Sequence, residues 1–182
     1  MQVTLNGARL ELVQGDITRE TTDAIVNAAN EALAPGGGVD GAITRAAGPA
    51  ALEARRKLGG CPTGEAKLGP GGNLAARAII YAVGPVYHDG RHGEADLLAS
   101  AYRRSLELCL AHGLDSVAFP AISTGVYGYP MADAAQVALA TLRAFLAQHG
   151  QPRRVRVVLF NAEALAVWSS VLSQLESTNG HE

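Results

Sequence analysis

The chain has 182 residues, of which 48% are hydrophobic and 18% are charged, and its formal net charge at neutral pH is -2. This length and composition are typical of one globular domain, and the lack of excess positive charge disfavours a protein that grips nucleic acid without sequence preference. The two cysteines, Cys61 and Cys109, have neither the spacing of a zinc site nor that of a disulfide framework.

The N-terminal third of the chain predicts a β-hairpin, a further strand and two short helices. Apolar and polar residues alternate on both sides of Asn6-Gly7, a dipeptide that favours a tight hairpin turn. Pro49 suits a first helical turn, and Gly59-Gly60 ends the helix that follows. The predicted strands cover residues 3–5, 10–13 and 23–27, and the predicted helices cover residues 39–47 and 49–58. The sheet is therefore expected to begin with an antiparallel pair.

The rest of the chain alternates between strand and helix signals. The predicted strands are residues 78–83, 115–120 and 155–160, and the predicted helices are residues 94–112, 131–149 and 162–175. Strands separated by helices require crossovers onto parallel neighbours, with helices on both faces of the sheet. The pattern predicts an α/β fold, a three-layer α/β/α sandwich with a mixed, mostly parallel central sheet. Residues 1–176 form the predicted domain, and the polar residues 177–182 form a predicted flexible tail.

Two glycine-bearing loops each follow a predicted strand and precede a predicted helix. The first runs through Gly36-Gly37-Gly38, and the second is the segment from Ser123 to Gly128. Neither loop holds a Lys or Arg, so backbone N–H groups and helix N-termini would have to bind an anion. Both loops fall at the carboxyl ends of strands, where open α/β sheets bind ligands. Together they predict a ligand with a diphosphate, although either loop alone can be a tight turn without a ligand.

Several other chemistries are disfavoured by the same loops. Neither contains the Lys and Ser/Thr of a nucleotide-hydrolysing phosphate loop or the GxGxxG pattern of a dinucleotide fold. Ser123, Asp133 and His149 occur in the order of a serine hydrolase and remain an alternative. However, glycines and Pro130 delay the helix that should directly follow such a serine. No cofactor is expected.

The remaining charged groups are interpreted as surface residues. His88, His92 and Glu94 include metal-ligating types, but a loop with Asp89-Gly90 is not the one-faced helix typical of a zinc site, so no metal is expected. The clusters Arg55-Arg56-Lys57 and Arg153-Arg154-Arg156 are interpreted as solvated faces. No signal peptide and no apolar stretch of membrane-spanning length is visible, which predicts a cytoplasmic protein without membrane contact. A monomer is expected.

Five sequence blocks occur in the order and at the spacings of a known family. They are Gly15-Asp16-Ile17-Thr18 and residues 23–30, 36–48, 82–85 and 122–130. These blocks resemble macrodomains, specifically the MacroD-like ADP-ribose hydrolases, and the resemblance covers nearly the whole chain. It implies the α/β/α sandwich and the binding of ADP-ribose. It also implies hydrolysis of esters on the distal ribose, which removes mono-ADP-ribose from acidic protein side chains or deacetylates O-acetyl-ADP-ribose.

The resemblance also implies binding roles for individual residues. Asp16 would accept a hydrogen bond from the adenine amine, helped by the Ile17 backbone, and Phe160 would stack on the adenine ring. Asp16 could instead be a helix N-terminal acid, and Phe160 could be a core residue. The implied ligand-binding set around the two loops is Ala29, Asn30, Gly37, Gly38, Val39, Asp40, Ser123, Thr124, Gly125, Val126 and Tyr127. The first loop would bind one phosphate, and the second would bind the other phosphate and the distal ribose.

Two of these residues, Asn30 and Asp40, are the implied catalytic residues. Asn30 would hold hydroxyls of the distal ribose. Asp40 would orient and polarise a water molecule, with a substrate phosphate oxygen sharing the proton, although it could instead be a helix acid without chemistry. The helix dipole should lower the pKa of Asp40. The chain departs from the usual family pattern at Pro35, where many relatives have glycine, which predicts a stiffer loop with one N–H donor fewer. It also departs at Thr44, where histidine is frequent, which predicts that hydrolysis is slow or confined to easier esters.

Two other functions stay open at this stage. A macrodomain that keeps the pocket without turnover would be a reader of ADP-ribose, and its partners would be mono-ADP-ribosylated proteins. A nucleic-acid-binding macrodomain would use the arginine clusters and would show affinity that falls steeply with salt.

Overall fold

The computed structural model describes residues 1–179, which form one seven-stranded sheet between two layers of helices. The strands are β1 (Gln2–Leu5), β2 (Ala8–Gln14), β3 (Ala24–Ala28), β4 (Ala66–Pro70), β5 (Ala78–Ala82), β6 (Ser116–Phe119) and β7 (Arg154–Leu159). Their order is β1-β2-β7-β6-β3-β5-β4. The inner strands are parallel, and each edge strand is antiparallel to its neighbour. The predicted α/β/α sandwich with a mixed, mostly parallel sheet is confirmed.

The β1–β2 hairpin forms where the sequence predicts it. Asn6 and Gly7 both have positive φ, at 50° and 83°. Two consecutive residues of this kind match the twist of the flanking strands, and asparagine and glycine adopt them at low cost. The turn sets the register in which Leu5 faces Ala8, and so it places alternate residues of β2 in the core.

The helices form two layers of different size. They are α1 (Gly38–Ala47), α2 (Pro49–Arg56), α3 (Glu94–Ala111), α4 (Met131–His149) and α5 (Ala162–Asn179). Helices α3, α4 and α5 bury side chains such as Leu98, Leu139 and Trp168 against one sheet face. Helices α1 and α2 cover the opposite face through Ile43 and Ala51. Among residues 1–179, no helix combines the length and hydropathy needed to cross a membrane.

Two elements differ from the sequence expectation. Strand β4 was not predicted because it contains Gly69 and Pro70 and no β-branched residue, so its sequence carries no strand signal. It forms because β5 offers a free edge for antiparallel pairing. Helix α5 continues to Asn179, so residues 177–179 belong to the helix rather than to the predicted tail. Residues 180–182 of that tail lie outside the described part of the chain.

The sheet face under α1 and α2 is only partly covered by helix, and charged side chains occupy the rest. Glu11 on β2 and Arg156 on β7 alternate with core residues and point to this face. Arg154 and Arg156 both pair with Glu11, and Arg156 also reaches Glu20 at 2.8 Å. Only 17% of the Arg156 side chain is exposed. The interpretation of residues 153–156 as a solvated face is therefore wrong for Arg156.

Candidate functional site

Four loops meet at one edge of the sheet because the inner strands are parallel. Asp16 follows β2, Phe160 follows β7, the Ser123 loop follows β6, and the Asn30 loop follows β3. These strands are consecutive neighbours in the order β2-β7-β6-β3, so the loops line one cleft in that order. The residues predicted to contact adenine thus lie at one end, and the two glycine loops lie beside each other at the other end.

The end of the cleft at β2 and β7 holds an ionised acid and an exposed aromatic ring. Asp16 Oδ1 accepts from the backbone N of Thr18 at 3.0 Å and from Thr18 Oγ1 at 2.6 Å. The side-chain and backbone hydrogen bonds from Thr18 lower the pKa of Asp16. Asp16 is therefore the N-cap of a short 3-10 helix (Ile17–Arg19), as the alternative interpretation held, with its Oδ2 without a partner in the described residues. Ile17 is buried, whereas Phe160 is 85% exposed and is not a core residue.

The first glycine loop ends in an open helix N-terminus. Gly37 is the N-cap of α1 and has no side chain to satisfy the helix, and Gly38 has a φ of 56° that favours glycine. Within residues 1–179, the backbone N–H groups of Gly37, Gly38 and Val39 have no hydrogen-bond acceptor. These donors, with the partial positive charge of the helix end, can hold an anion.

The second glycine loop also presents unpaired donors, on a strained turn. Ser123 has a φ of 69°, which is uncommon for a non-glycine residue, and its buried Oγ has no partner in the described structure. Tyr129 N donates to Ser123 O at 2.9 Å and closes the loop. The N–H groups of Gly125, Val126 and Tyr127 have no acceptor among residues 1–179, and the Val126 side chain is fully exposed.

The segment that follows β5 helps to fix the position of this second loop. The N–H of Tyr87, in the segment after β5, donates to Tyr127 O at 2.8 Å. A Cβ on Gly84 would overlap Ser123 Oγ and Ile122 Cγ2, so glycine at this position lets the two loops approach each other. Thr124 Oγ1 donates to Ala121 O at 2.8 Å, so its hydroxyl supports the turn.

The Asn30 side chain organises its own loop. Its Nδ2 donates to Ala34 O at 2.8 Å, and its Oδ1 accepts from Ala34 N at 3.1 Å. One amide hydrogen and one lone pair remain for a ligand. Ala29 is buried beside it. The predicted contact of Asn30 with ribose hydroxyls stays a prediction.

The Asp40 carboxylate is buried and accepts five hydrogen bonds. Its Oδ1 accepts from Arg55 Nη1 at 2.6 Å, Asn27 Nδ2 at 3.1 Å and Thr44 Oγ1 at 3.2 Å. Its Oδ2 accepts from Arg55 Nη2 at 2.8 Å and Gly36 N at 3.3 Å. A carboxylate has about four lone-pair sites, so a water molecule would have to displace one of these donors.

The ionisation of Asp40 is governed by Arg55 rather than by the helix alone. Burial raises the pKa of Asp40, but hydrogen bonds from Arg55 and Asn27 and the charge of Arg55 outweigh it, so that the pKa lies below its usual value. The predicted direction is confirmed, and the cause is different from the predicted helix dipole. The carboxylate is ionised at neutral pH and is a weak proton acceptor.

Arg55 is the functional residue that sequence reasoning missed. Only 1% of its surface is exposed, so its interpretation as part of a solvated basic face is wrong. Its Cζ lies 4.9 Å from the centre of the Tyr81 ring, and its Nη2 also donates to Ala34 O at 3.1 Å. One sequence signal was present: Arg55 lies four residues after Ala51, on the buried face of α2.

Comparisons with known proteins agree with this fold and this edge of the sheet. The family model of the Macro domain matches residues 26–138. The O-acetyl-ADP-ribose deacetylase of Escherichia fergusonii is 51% identical over 171 residues, which are 92% of this chain and 97% of that protein. The chain belongs to the Macro domain family.

Solved macrodomain structures superpose closely on this macrodomain. That of Oceanobacillus iheyensis with ADP has a TM-score of 0.94 and 43% identity, covering 98% of this chain and 97% of that one. That of Trypanosoma brucei in complex with ADP-ribose has a TM-score of 0.84 and 40% identity, covering 90% of this chain and 68% of that one. The resemblance to macrodomains is therefore confirmed.

The serine-hydrolase alternative is not assembled among residues 1–179. Ser123 Oγ has no hydrogen-bond partner in residues 1–179, and the ring of His149 packs 4.3 Å from that of Phe145 at the far end of α4. A serine–histidine pair is therefore absent from the described structure.

The possible metal cluster is a structured turn. Its members are Asp89, His92 and Glu94, without His88. The Glu94 carboxylate accepts from the backbone N–H groups of His88 at 3.0 Å and Gly90 at 2.9 Å, among others. This carboxylate is already occupied by the loop that leads into α3.

Proposed function

We propose that this macrodomain binds ADP-ribose and hydrolyses esters of its distal ribose. The substrates are O-acetyl-ADP-ribose and proteins that carry mono-ADP-ribose on acidic side chains. One observation carries the proposal: two loops on the adjacent strands β3 and β6 present unpaired backbone donors to one cleft, without any Lys or Arg in either loop. Uncharged donors of this kind suit a diphosphate that must be released again. Relatives that are about half identical to this chain are named O-acetyl-ADP-ribose deacetylase, which supports the same function.

The remaining features of the cleft suit the two ends of such a ligand. Asp16 is ionised and has a free oxygen for the adenine amine, and the exposed Phe160 offers an apolar face for the ring. At the other end, Tyr127 is half-buried, and burial raises its pKa, with the carboxylates of Glu31 and Asp40 adding to the shift. Its phenol is therefore neutral at physiological pH and can cover the distal ribose as a hydrogen-bonding group.

Ester hydrolysis requires a water oxygen to attack the carbonyl carbon while a proton leaves that water. The bond from carbon to the ribose oxygen then breaks, and the ribose oxygen takes up a proton. Both oxygens of Asp40 are occupied by its five hydrogen bonds, so Asp40 is poorly placed to contact the attacking water and take the first proton. We assign that role to an oxygen of the bound diphosphate, with Asn30 holding the ribose hydroxyls.

Calorimetry and turnover assays together test this function. ADP-ribose is expected to bind with measurable heat, and AMP, which lacks the second phosphate and the distal ribose, is expected to bind more weakly. The wild type should release acetate from O-acetyl-ADP-ribose and ADP-ribose from an auto-modified protein. Asn30→Ala should lower kcat/KM about 10- to 100-fold through misplacement of the ribose, whereas Glu53→Ala, on the exposed side of α2, should not change it. No heat with ADP-ribose would refute the binding site.

A non-catalytic reader is the second candidate, and the saturation of Asp40 favours it. In that case ADP-ribose and modified proteins bind, but the wild type and Asn30→Ala release product at the same background rate. The nucleic-acid function lacks such support, because Arg55 is buried and Arg154 and Arg156 are paired with Glu11. The monomeric state, the modified protein partners and the cytoplasmic location stay predictions that light scattering, pull-down and fractionation test.

A further inference from the structure

We propose that Arg55 is the positioning residue of this site, because its guanidinium joins the Asp40 carboxylate to the Ala34 carbonyl and so fixes the loop between β3 and α1. This inference rests on the proposed function, since it concerns how the ribose and phosphate donors are held for the ester reaction. In the sequence, Arg55 differs from its exposed neighbour Arg56 only by its helical spacing from Ala51. Its role follows from three contacts on the buried side of α2.

The guanidinium of Arg55 binds the Asp40 carboxylate in a bidentate geometry. Its two terminal nitrogens meet the two oxygens of Asp40 at 2.6 and 2.8 Å, and the second nitrogen also donates to Ala34 O at 3.1 Å. The side chains of Arg55 and Asp40 are 1% and 6% exposed. A planar fork that satisfies both carboxylate oxygens fixes direction as well as distance, which a point charge does not.

The contacts of Arg55 connect it to both predicted catalytic residues, Asp40 and Asn30. Ala34 O accepts from Arg55 and from Asn30 Nδ2, so the two side chains share one backbone acceptor. Asp40 Oδ2 accepts a hydrogen bond from Gly36 N, which directly precedes the unpaired backbone donors at the start of α1. Arg55 therefore binds Asp40 directly and is linked to Asn30 through the Ala34 carbonyl that both side chains bind. It touches no open surface of the cleft.

Thr44 and Tyr81 pack around the pair formed by Arg55 and Asp40. Thr44 Oγ1 donates to Asp40 and accepts from Arg55 Nη1, both at 3.2 Å, and the Tyr81 ring lies below the guanidinium. Arg45, on the same helix as Asp40, lies beside Gly41, and the charges of both Asp40 and Glu31 reach Tyr127 on the second loop. Arg55 is the one cation among the described residues that forms an ion pair with Asp40.

Removal of the Arg55 cation would leave the Asp40 carboxylate buried without its ion-pair partner. A buried carboxylate without its partner tends to take up a proton or to turn toward water. Either change releases Gly36 N and Ala34 O, and the loop then loses the conformation that presents its backbone donors. Loss of Arg55 should therefore impair the reaction and shift its dependence on pH, whereas a residue that only filled space would do neither.

The experiment compares three variants of the full chain. Arg55→Met keeps the length of the side chain without charge or donors, and Arg55→Lys keeps the charge without the fork. Arg56→Met is the matched control, because Arg56 follows directly on the same helix, is 63% exposed and lies 3.9 Å from its nearest acid, Glu53. Each variant is measured for thermal unfolding, ADP-ribose binding, kcat and KM for O-acetyl-ADP-ribose, and amide hydrogen exchange at residues 34–39.

We expect Arg55→Met to lower kcat/KM about 10- to 100-fold, to speed exchange at residues 34–39, and to move the acidic limb of the pH–rate profile to higher pH. Arg55→Lys should restore the wild-type position of that limb but only part of kcat, and Arg56→Met should match the wild type. If Arg55→Met does not fold, the Arg55→Lys comparison decides the matter. Folded Arg55 variants with wild-type or higher kcat/KM and unchanged exchange would overturn the inference.

The same measurements separate this inference from the proposed function. If the wild type binds ADP-ribose and does not hydrolyse it, the proposed catalysis fails, and faster exchange with weaker ADP-ribose binding in Arg55→Met still supports the positioning role. If the wild type hydrolyses the ester and the Arg55 variants behave like Arg56→Met, the positioning role fails and the proposed function stands.

Discussion

Two clusters of acid and arginine lie on the same face of the sheet and differ in how they meet water. Asp40 and Arg55 are enclosed between α1, α2 and β5, with side chains that are at most 6% exposed. Glu11, Arg154 and Arg156 lie on the part of this face that α1 and α2 leave open. The side chains of Glu11 and Arg156 are 9% and 17% exposed, and water reaches the cluster mainly at Arg154, which is 41% exposed. The first cluster is a single pair of Asp40 and Arg55, whereas in the second cluster Glu11 pairs with both Arg154 and Arg156.

The difference shows what each cluster contributes. A buried pair loses hydration that its mutual attraction only partly replaces, so its main effect is to define one geometry. The open network keeps partial contact with water through Arg154, so salt screens it more than a buried pair, and its long side chains cover a sheet face that lacks a helix. The enclosed cluster should therefore respond more strongly to the loss of one partner, and the open network should respond less strongly and in a way that depends on salt.

The largest effect is expected for Asp40→Ala. This change leaves the Arg55 guanidinium buried without its carboxylate, and such a loss costs about 3–5 kcal/mol. Urea denaturation measures the free energy of unfolding. The double variant Asp40→Ala/Arg55→Met should recover part of the loss because no unpaired charge remains. A single variant as stable as the wild type would show that the pair is solvated in solution and that the contrast between the clusters is unfounded.

A third carboxylate, Glu94, separates the effect of burial from that of a cation. Burial raises its pKa, but hydrogen bonds from the backbone N–H groups of His88, Gly90 and His92 outweigh it and lower the pKa to about 2. A lowered pKa stabilises the fold above pH 4.5, and this contribution is lost as the pH falls towards 2. Glu94→Gln should be clearly destabilised at pH 7 and should approach the wild type in acid. A difference in stability that is independent of pH would contradict this ionisation.

A smaller effect is expected for Glu11→Gln. Burial raises the pKa of Glu11, but contacts with Arg154 and Arg156 outweigh it and lower the pKa. The neutral amide keeps the shape and weakens three charge-assisted contacts, at a cost of about 1–3 kcal/mol. In 1 M salt the difference from the wild type should shrink, because partly exposed pairs are screened. If the difference in stability from the wild type were unchanged in 1 M salt, this network would behave like the enclosed pair of Asp40 and Arg55.

The smallest effect is expected for Arg153→Ala. This side chain is 75% exposed and lies 3.8 Å from Asp115, so its loss should change the free energy of unfolding by less than about 0.5 kcal/mol. Urea denaturation measures this variant beside Glu11→Gln. A loss of about 2 kcal/mol or more would exceed the contribution of an ordinary exposed pair. It would mean that the network of Glu11, Arg154 and Arg156 also includes Arg153.

Much of the fold could be predicted because local signals agreed with one another. Asn6-Gly7 fixed the hairpin, and the alternation of strands with helices required a parallel sheet with two helical layers. Strand β4 was missed because its residues have no preference for the extended state and the pairing edge of β5 supplies the order. The end of α5 was placed too early because polar residues suggested a frayed terminus, whereas the helix continues through them.

The candidate site divides in a similar way. Its backbone donors could be located from sequence, because glycine loops at strand ends must lie at one edge of a parallel sheet. The state of Asp40 could not, because it depends on a side chain from another helix, 15 positions along the chain. An arginine is most often exposed, so composition favoured the solvated interpretation of Arg55. The spacing from Ala51 was too weak a signal to overturn it, and the packing of α2 on the sheet shows that Arg55, not Arg56, points inward.

The exposure of Val126 and Phe160 has a thermodynamic consequence for any ligand that fills the cleft. Both apolar side chains stand in water at the two ends of a cleft otherwise lined by backbone donors. Covering them removes ordered hydration from nonpolar surface, so the heat capacity falls on association. The enthalpy of complex formation therefore becomes more exothermic as temperature rises, while the polar contacts of the loops set its value at any one temperature.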